Sequence, residues 1–542
     1  MRPGRPSIRA IAASAGFAIA CALAPTDALG AEGDPDPSFS GDGTLVQSFG
    51  AGHISGAEDV AVDALGNIVA VGVDWSAATQ ENIALARYDP NGQLDPGFSG
   101  DGLQITDVLG DDRAQAVAID SQGRIVIAGV QNGDFDNLPN AGDLLVARYL
   151  PNGTLDGAFG GGDGVATANF TNQFEAANAV TIDSQGRIVA AGTGVIMGDR
   201  AFVAARFTPA GLPDNSFSVD GKQFIQFGAF NDIDVAHGVV TDSQNRVVLV
   251  GASFDESNIN WNFAVARLTQ GGELDPGFGA GGKVEAIFND PVENDYARDV
   301  VIDSAGNLIV ATERQPQQAA VGLAKLDGVN GALVSGFGNG GIAVSNVSAG
   351  SNGVGLDASG RILVGAGYTA GLPERLFAVR FAPGGFPDSS FGGDGAGEAV
   401  IGSPFFNGGM AVDNADRPIV SGGFDNTVDP PVGTFALARF QAGSLSQAAP
   451  LCLGKVPDIV GTEGKDAIQG TSDPDVIDAG AGNDKVTGFG GKDRICGGRG
   501  KDRLFGGPGK DRIQGGPGND LLRGGKGKDR LKGGKGKDDV RQ

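Results

Sequence analysis

An all-β chain is predicted, a seven-bladed β-propeller of four short strands per blade followed by a C-terminal parallel β-roll, and three observations carry it. Gly supplies 93 of the 542 residues while aromatics make up 7 % and charged residues 19 %, a composition of dense turns rather than helical layers. A unit of 54 to 61 residues is written seven times between Asp36 and Phe440. A nonapeptide then recurs nine times before Gln542. The formal charge of −25 repels polyanions and excludes the whole molecule as a nucleic-acid binder.

Residues 1–30 read as a removable signal peptide. Arg2, Arg5 and Arg9 form a basic start, Ala10 to Ala24 an uncharged Ala-rich run, and Ala28-Leu29-Gly30 a small-residue motif that places cleavage before Ala31. The run falls short of the ~20 apolar residues of a membrane span, and no later stretch is long enough. Export is therefore expected, to the medium or the cell surface. Cys21 leaves with the signal, and Cys452 and Cys496 remain as a disulfide or as two free thiols.

Within the seven units, Phe recurs at 39, 98, 159, 217, 278, 337 and 391, with Asp three residues earlier except at Val334. A second anchor is Asp63, Asp120, Asp183, Asp242, Asp303, Asp357 and Asp413. Three residues after each stands Gly, Asn or Asp, the types that tolerate a positive φ, which predicts a tight hairpin capped by the Asp. Each unit closes on an apolar-Arg/Lys-apolar run such as Leu85-Ala86-Arg87-Tyr88 or Leu437-Ala438-Arg439-Phe440. In the first unit, Thr44 to Phe49, Asp59 to Val62, Asn67 to Val73 and Ile83 to Tyr88 read as four strands. One unit is thus taken as one blade over residues 31–440, with a flat solenoid as the structural alternative.

The succession Asp-Pro-x-Phe, Gly-x-Gly, Asp-x-x-Gly-Arg/Asn-Ile and Leu-Ala-Arg-Phe resembles the delta-60 repeat of bacterial exported proteins. That resemblance implies a propeller-like β architecture and no particular activity. An active site is made once, whereas the Asp and Arg anchors are made seven times, so they are expected to be structural. His53 and His237 are the only side chains with an unperturbed base near neutral pH, and neither adjoins a nucleophile motif. No zinc His pair or phosphate loop occurs.

Residues 441–450 read as a linker. Beyond it, over residues 451–542, Asp recurs every nine residues, at Asp466, Asp475, Asp484, Asp493, Asp502, Asp511, Asp520, Asp529 and Asp538, each followed two residues later by an aliphatic. The glycines permit tight turns and expose carbonyls, the Asp adds a carboxylate, and the lone aliphatic points inward from a short strand. An all-oxygen set suits Ca²⁺ rather than zinc, so calcium is the expected cofactor. These residues resemble the haemolysin-type, or RTX, calcium-binding repeat, which implies a parallel β-roll with two nonapeptides per turn. On that pattern Asp466, Asp484, Asp502, Asp520 and Asp538 line one side and Asp475, Asp493, Asp511 and Asp529 the other, all as metal ligands, with ions shared between repeats 18 residues apart.

From Leu451 on there are 18 basic and 14 acidic residues, against 19 and 50 in Ala31 to Pro450. Lys precedes the ladder Asp at Lys465, Lys492, Lys501, Lys510, Lys528 and Lys537, where it is expected to neutralise the carboxylates in part or to offer a basic face to anionic wall polymer or polysaccharide. The resulting expectation is a non-catalytic, exported calcium-binding or scaffold protein. The alternative is an extracellular polysaccharide hydrolase or lyase in the propeller channel, which needs unrepeated carboxylates there.

Overall fold

The computed structural model describes residues 31–132, 142–171, 173–196, 198–228, 233–255, 260–285, 294–315, 320–368, 375–401, 407–425, 432–442, 452–453, 455, 457, 459–461 and 465–542. The expected signal peptide, the cleavage motif and most of the expected linker lie outside them. Among the described residues all regular elements are strands.

Seven antiparallel four-stranded sheets form the propeller. The turn anchors act as the sequence requires: each Asp Oδ1, from Asp63 to Asp413, accepts the backbone N–H groups two and four residues on. The residue three after it has positive φ in all seven turns, including Asn245 and Asp416, which are the non-Gly types that bear this conformation best. The seven Phe anchors are buried.

Units and blades are out of phase, a correction to the one-unit, one-blade reading. Blade one consists of His53–Val62, Ile68–Ser76, Gln80–Tyr88 and Leu103–Thr106, so its outer strand opens the second unit. Thr44–Gln47 instead completes blade seven, pairing Thr44 with Ala438 and Gln47 with Phe435. This closes the ring, because the N-terminal strand finds a free sheet edge only in the last blade. Phe39, Val60 and Ile68 then pack with Ile419, Phe435 and Leu437 in one core cluster. Gln441 and Ala442, placed in the linker by the sequence, belong to the propeller: Gly33 N–H donates to Gln441 O and Arg380 Nη1 to Ala442 O.

The closing Arg residues staple neighbouring blades. Arg206 Nε donates to Asp214 at 2.7 Å, its Nη1 to Gln270 O of the next unit at 2.6 Å, and its guanidinium lies 4.6 Å from the Phe217 ring centroid. Arg148, Arg267, Arg380 and Arg439 repeat this set. Val334 replaces the Asp that opens the sixth unit, and Lys325, which closes the fifth, turns to its own turn anchor Asp303 at 2.9 Å.

The C-terminal roll has two parallel five-stranded sheets. Its register is 18 residues, as in Ile477 beside Ile495 and Ile513, or Val486 beside Leu504 and Leu522. Two nonapeptides therefore make one turn. These aliphatics form a buried file between the sheets, with Ile468 and Leu531 half-buried at its ends and Val540 exposed. Cys452 and Cys496 form a disulfide with Cα atoms 5.7 Å apart, closing a separation of 44 residues. Chain-entropy arguments give such a loop about 4 kcal/mol. Calorimetry of the calcium-loaded chain with and without dithiothreitol is accordingly expected to show the roll melting earlier when reduced, with the propeller transition unmoved.

Candidate functional site

Two places gather chemistry that the repeated scaffold does not use up. The first is the Asp ladder of the roll. Each ladder Asp sits one residue before a strand, so its carboxylate turns in beneath the preceding glycines while the flanking residues face outward. In both files, the Oδ1 of each Asp accepts the N–H of the Asp 18 residues earlier, as from Asp484 to Asp502 at 3.0 Å and from Asp493 to Asp511 at 3.1 Å. Asp466 and Asp475 begin the two files and Asp538 ends one. From Asp475 to Asp529 the ladder residues are buried, and in Asp484, Asp493, Asp502, Asp511, Asp520 and Asp529 the Oδ2 has no hydrogen-bond partner.

Glycine makes room beside five of the six free oxygens, Ala479 taking that place before Asp484. A Cβ on Gly506 would lie 2.5 Å from Asp511 Oδ2 and 2.8 Å from the Gly524 carbonyl oxygen one turn on. Carboxylate and carbonyl oxygens thus converge where any other residue would put a side chain. Burial, with neighbouring ladder carboxylates adding to it, pushes Asp493 up to about 7 and Asp502 up to about 6. Among the described residues no three His, Cys, Asp or Glu side chains cluster as a metal site, so a cation here would take much of its shell from carbonyls. That is the donor set of Ca²⁺.

The second place is the propeller channel. The innermost strand of every blade carries a bulge that slips the register by one residue, as between Ala57 and Asp59 or Ala236 and Gly238. The bulged residues are Glu58, Gln115, Asn178, His237, Arg298, Asn352 and Gly408, and all seven line one cavity of about 320 Å³. Sequence reading singled out His237 alone, although the signal was present: the seven stand five residues before the seven turn Asp anchors. Arg298 is held by Glu313, through Nε at 2.9 Å and Nη2 at 2.8 Å, and its Nη1 faces His237 Nε2 at 3.5 Å. Burial, and then the Arg298 charge, push His237 down to about 3, so it is neutral. His53 lies elsewhere, at the start of its strand, paired with Asp74 at 2.6 Å.

Unrepeated carboxylates do occur in the channel, as the enzyme reading requires, but two of them are tied to backbone. Asp59 accepts from Val60 N and, in the next blade, Val117 N; Asp299 accepts from Val300 N and Val354 N. Each abuts a glycine of the preceding blade, Gly409 or Gly238, where a Cβ would collide with it. They are staples between blades. Burial raises Asp59 to about 7 and Asp299 to about 6. A carboxyl whose folded pKa lies above its unfolded one adds stability at low pH that is lost as pH rises through the folded value. The propeller is therefore expected to melt lower at pH 8 than at pH 5, and Asp59→Asn with Asp299→Asn to flatten that slope in calorimetry.

Comparison with known families matches the same two regions. A family model described as a domain of unknown function (DUF5122) beta-propeller matches residues 66–98, 184–217 and 245–278. The model described as the RTX calcium-binding nonapeptide repeat matches residues 460–488, 469–504 and 505–540. The roll is an array of RTX repeats. No curated protein matches the chain. Solved structures similar to it include a protein of unknown function from Dyadobacter fermentans, 12 % identical, covering 73 % of this chain and 97 % of that one with a TM-score of 0.37. A Lactobacillus plantarum protein is 13 % identical over 69 % and 99 % at 0.38, and Chaetomium thermophilum Sqt1 13 % identical over 73 % and 97 % at 0.37. Similarity this low carries no functional information.

No Lys or Arg pairs with the ladder carboxylates from Asp475 to Asp529 among the ion pairs of the described residues; the basic side chains leave the turns outward. Arg494, Arg512 and Arg530 stack in register on one sheet, at a strand spacing of about 4.8 Å. Lys492, Lys510 and Lys528 stand exposed two residues before them. No helix among the described residues is long and apolar enough to cross a membrane.

Proposed function

We propose that the chain is an exported, calcium-binding, non-catalytic binding or scaffold protein of the bacterial surface or medium. Its parts would be a signal peptide over residues 1–30, a propeller over 31–440 extended by the two residues that pair with it, a linker to 450 and the RTX roll over 451–542. Asp466, Asp475, Asp484, Asp493, Asp502, Asp511, Asp520, Asp529 and Asp538 are its metal ligands, with backbone carbonyls completing each shell. The observation that carries this reading is the set of six buried Oδ2 atoms without a partner, since a desolvated carboxylate oxygen with nothing to accept is costly unless a cation meets it. Extracellular modules hold calcium with dissociation constants of roughly 10⁻⁴ to 10⁻³ M, so folding of the roll would be completed after export.

The partner is an anionic wall polymer or polysaccharide, held on the stacked Lys-Asp-Arg turns at 492–494, 510–512 and 528–530. Like charges stacked on adjacent strands destabilise a sheet, and among the described residues these have no acidic ion-pair partner to relieve them. Binding of calcium-loaded chain to polygalacturonate is the test. It is expected to weaken with salt and to fall at least tenfold in the Lys492→Gln, Lys510→Gln, Lys528→Gln variant. Unchanged binding by that variant, or none by the parent chain, rejects this face as the site.

A further inference from the structure

The channel ring points to a ligand of its own. In every unit the bulged residue is framed by repeated ones: Ala precedes it in five units, and Val follows two residues later in six. Packing explains the frame, because those residues build the blade interfaces. It does not explain why the residue between them is polar in six units and different in nearly all. A bulge leaves its extra residue unpaired and re-aims that side chain, so the fold turns this one variable position of each blade toward the axis. A sevenfold scaffold that varies at the axis can present an asymmetric set of groups to one small molecule.

The chemistry narrows the class. Arg298 has its charge answered by Glu313, which leaves no free cation to hold an anionic ligand, and the lining includes no Lys. His237 is neutral, and Asp59 and Asp299 spend their oxygens on backbone N–H groups. Beside Glu58, three amides line the ring: Gln115, without a partner among the described residues, Asn178, whose Nδ2 donates to Ala236 O at 2.8 Å, and Asn352. Each amide offers a donor and an acceptor side by side, as the neutral imidazole also does, and that is the complement of a hydroxyl, which is both. A cavity of about 320 Å³ is at the small end of ligand pockets, enough for one or two sugar rings. We infer that the propeller channel binds a small neutral polyhydroxylated ligand, a mono- or disaccharide, through the bulged residues of its seven inner strands.

This reading is independent of calcium, so it is tested on the full mature chain with and without the ion. Titration calorimetry with glucose, galactose, mannose, N-acetylglucosamine and cellobiose is expected to show millimolar or tighter binding of at least one, unchanged by chelator. Gln115→Ala and Asn352→Ala should each weaken it at least tenfold, and Gln104→Ala, on an outer strand, should leave it alone. Circular dichroism shows whether the variants fold; since Gln115 is half-exposed and has no partner among the described residues, its variant is expected to keep the parent melting temperature. Binding by none of the five sugars overturns the inference, as does binding that ignores Gln115→Ala.

Discussion

Chelation of calcium from the full chain is expected to melt the RTX roll while sparing the propeller. The roll's core is thin: six nonapeptides each bury one aliphatic, Ile477, Val486, Ile495, Leu504, Ile513 and Leu522, with Ile459 and Ala479 beside them, and its two Asp files run through that core with free carboxylate oxygens. Burial and mutual repulsion raise these carboxyls when no cation is present, so the calcium-free roll is most stable at acid pH and loses stability as pH rises through about 6 to 7, where Asp502 and Asp493 ionise. Calcium needs the ionised form and reverses the dependence. Its stabilising effect should be largest near pH 8 and shrink toward pH 5. In calorimetry the roll transition should vanish with chelator and return near millimolar Ca²⁺. Mg²⁺ should not restore it, because that ion demands a tighter octahedral shell and gives up water reluctantly. Asp502→Ala with Asp520→Ala, adjacent rungs of one file, should raise the calcium midpoint at least tenfold. A roll transition indifferent to chelator would reject calcium as its organising ion.

What could be read in advance divides along a physical line. Anchors that satisfy a local backbone need are legible, because the need recurs wherever the turn does: Asp63 and its six equivalents cap N–H groups two and four residues away, and Gly66 or Asn245 supplies the positive φ. The nine-residue step of the ladder is legible for the same reason. Features set by partners far along the chain are not. Thr44–Gln47 has the same sequence character as the other outer strands, and only the free edge beside Ala438 makes it the outer strand of blade seven. Asp59 and Asp299 look like strays from the pattern until Gly409 and Gly238 are seen to make room for them. The channel ring lies between these cases. Its position is periodic, but its content is not, and a search for repeated residues passes over the one place where the repeats disagree.

Arg439→Ala is expected to be the most damaging single change in the propeller, worse than the equivalent Arg206→Ala. Both side chains are buried, and removing one partner of a buried pair costs about 3–5 kcal/mol. The difference lies in what each holds. Arg206 binds Asp214 and Ser216, eight and ten residues away, stacks on Phe217 and reaches the Gln270 carbonyl of the next unit. Arg439 binds Asp36 at 2.8 Å and Ser38 at 2.9 Å across some 400 residues of chain, stacks on Phe39 at 4.8 Å and reaches the Pro90 carbonyl of the next blade. Its loss therefore releases the N-terminal strand that closes the ring, so the whole loop-closure entropy comes due at once. Calorimetry should show Arg206→Ala lowering the propeller transition by about 5–10 °C as a single step. Arg439→Ala should lower it further, broaden it and expose the segment around Thr44 to limited proteolysis. Arg439→Lys tests the fork geometry separately from the charge. Lys325 already occupies this position in the fifth unit by turning to its turn anchor, Asp303, and Asp413 lies 3.8 Å from Arg439, so a lysine there has an acceptor but no second reach to Pro90. An intermediate melting temperature with protease resistance retained is the expected result. Equal damage from Arg206→Ala and Arg439→Ala would mean that ring closure rests on the strand pairing and Phe39 alone.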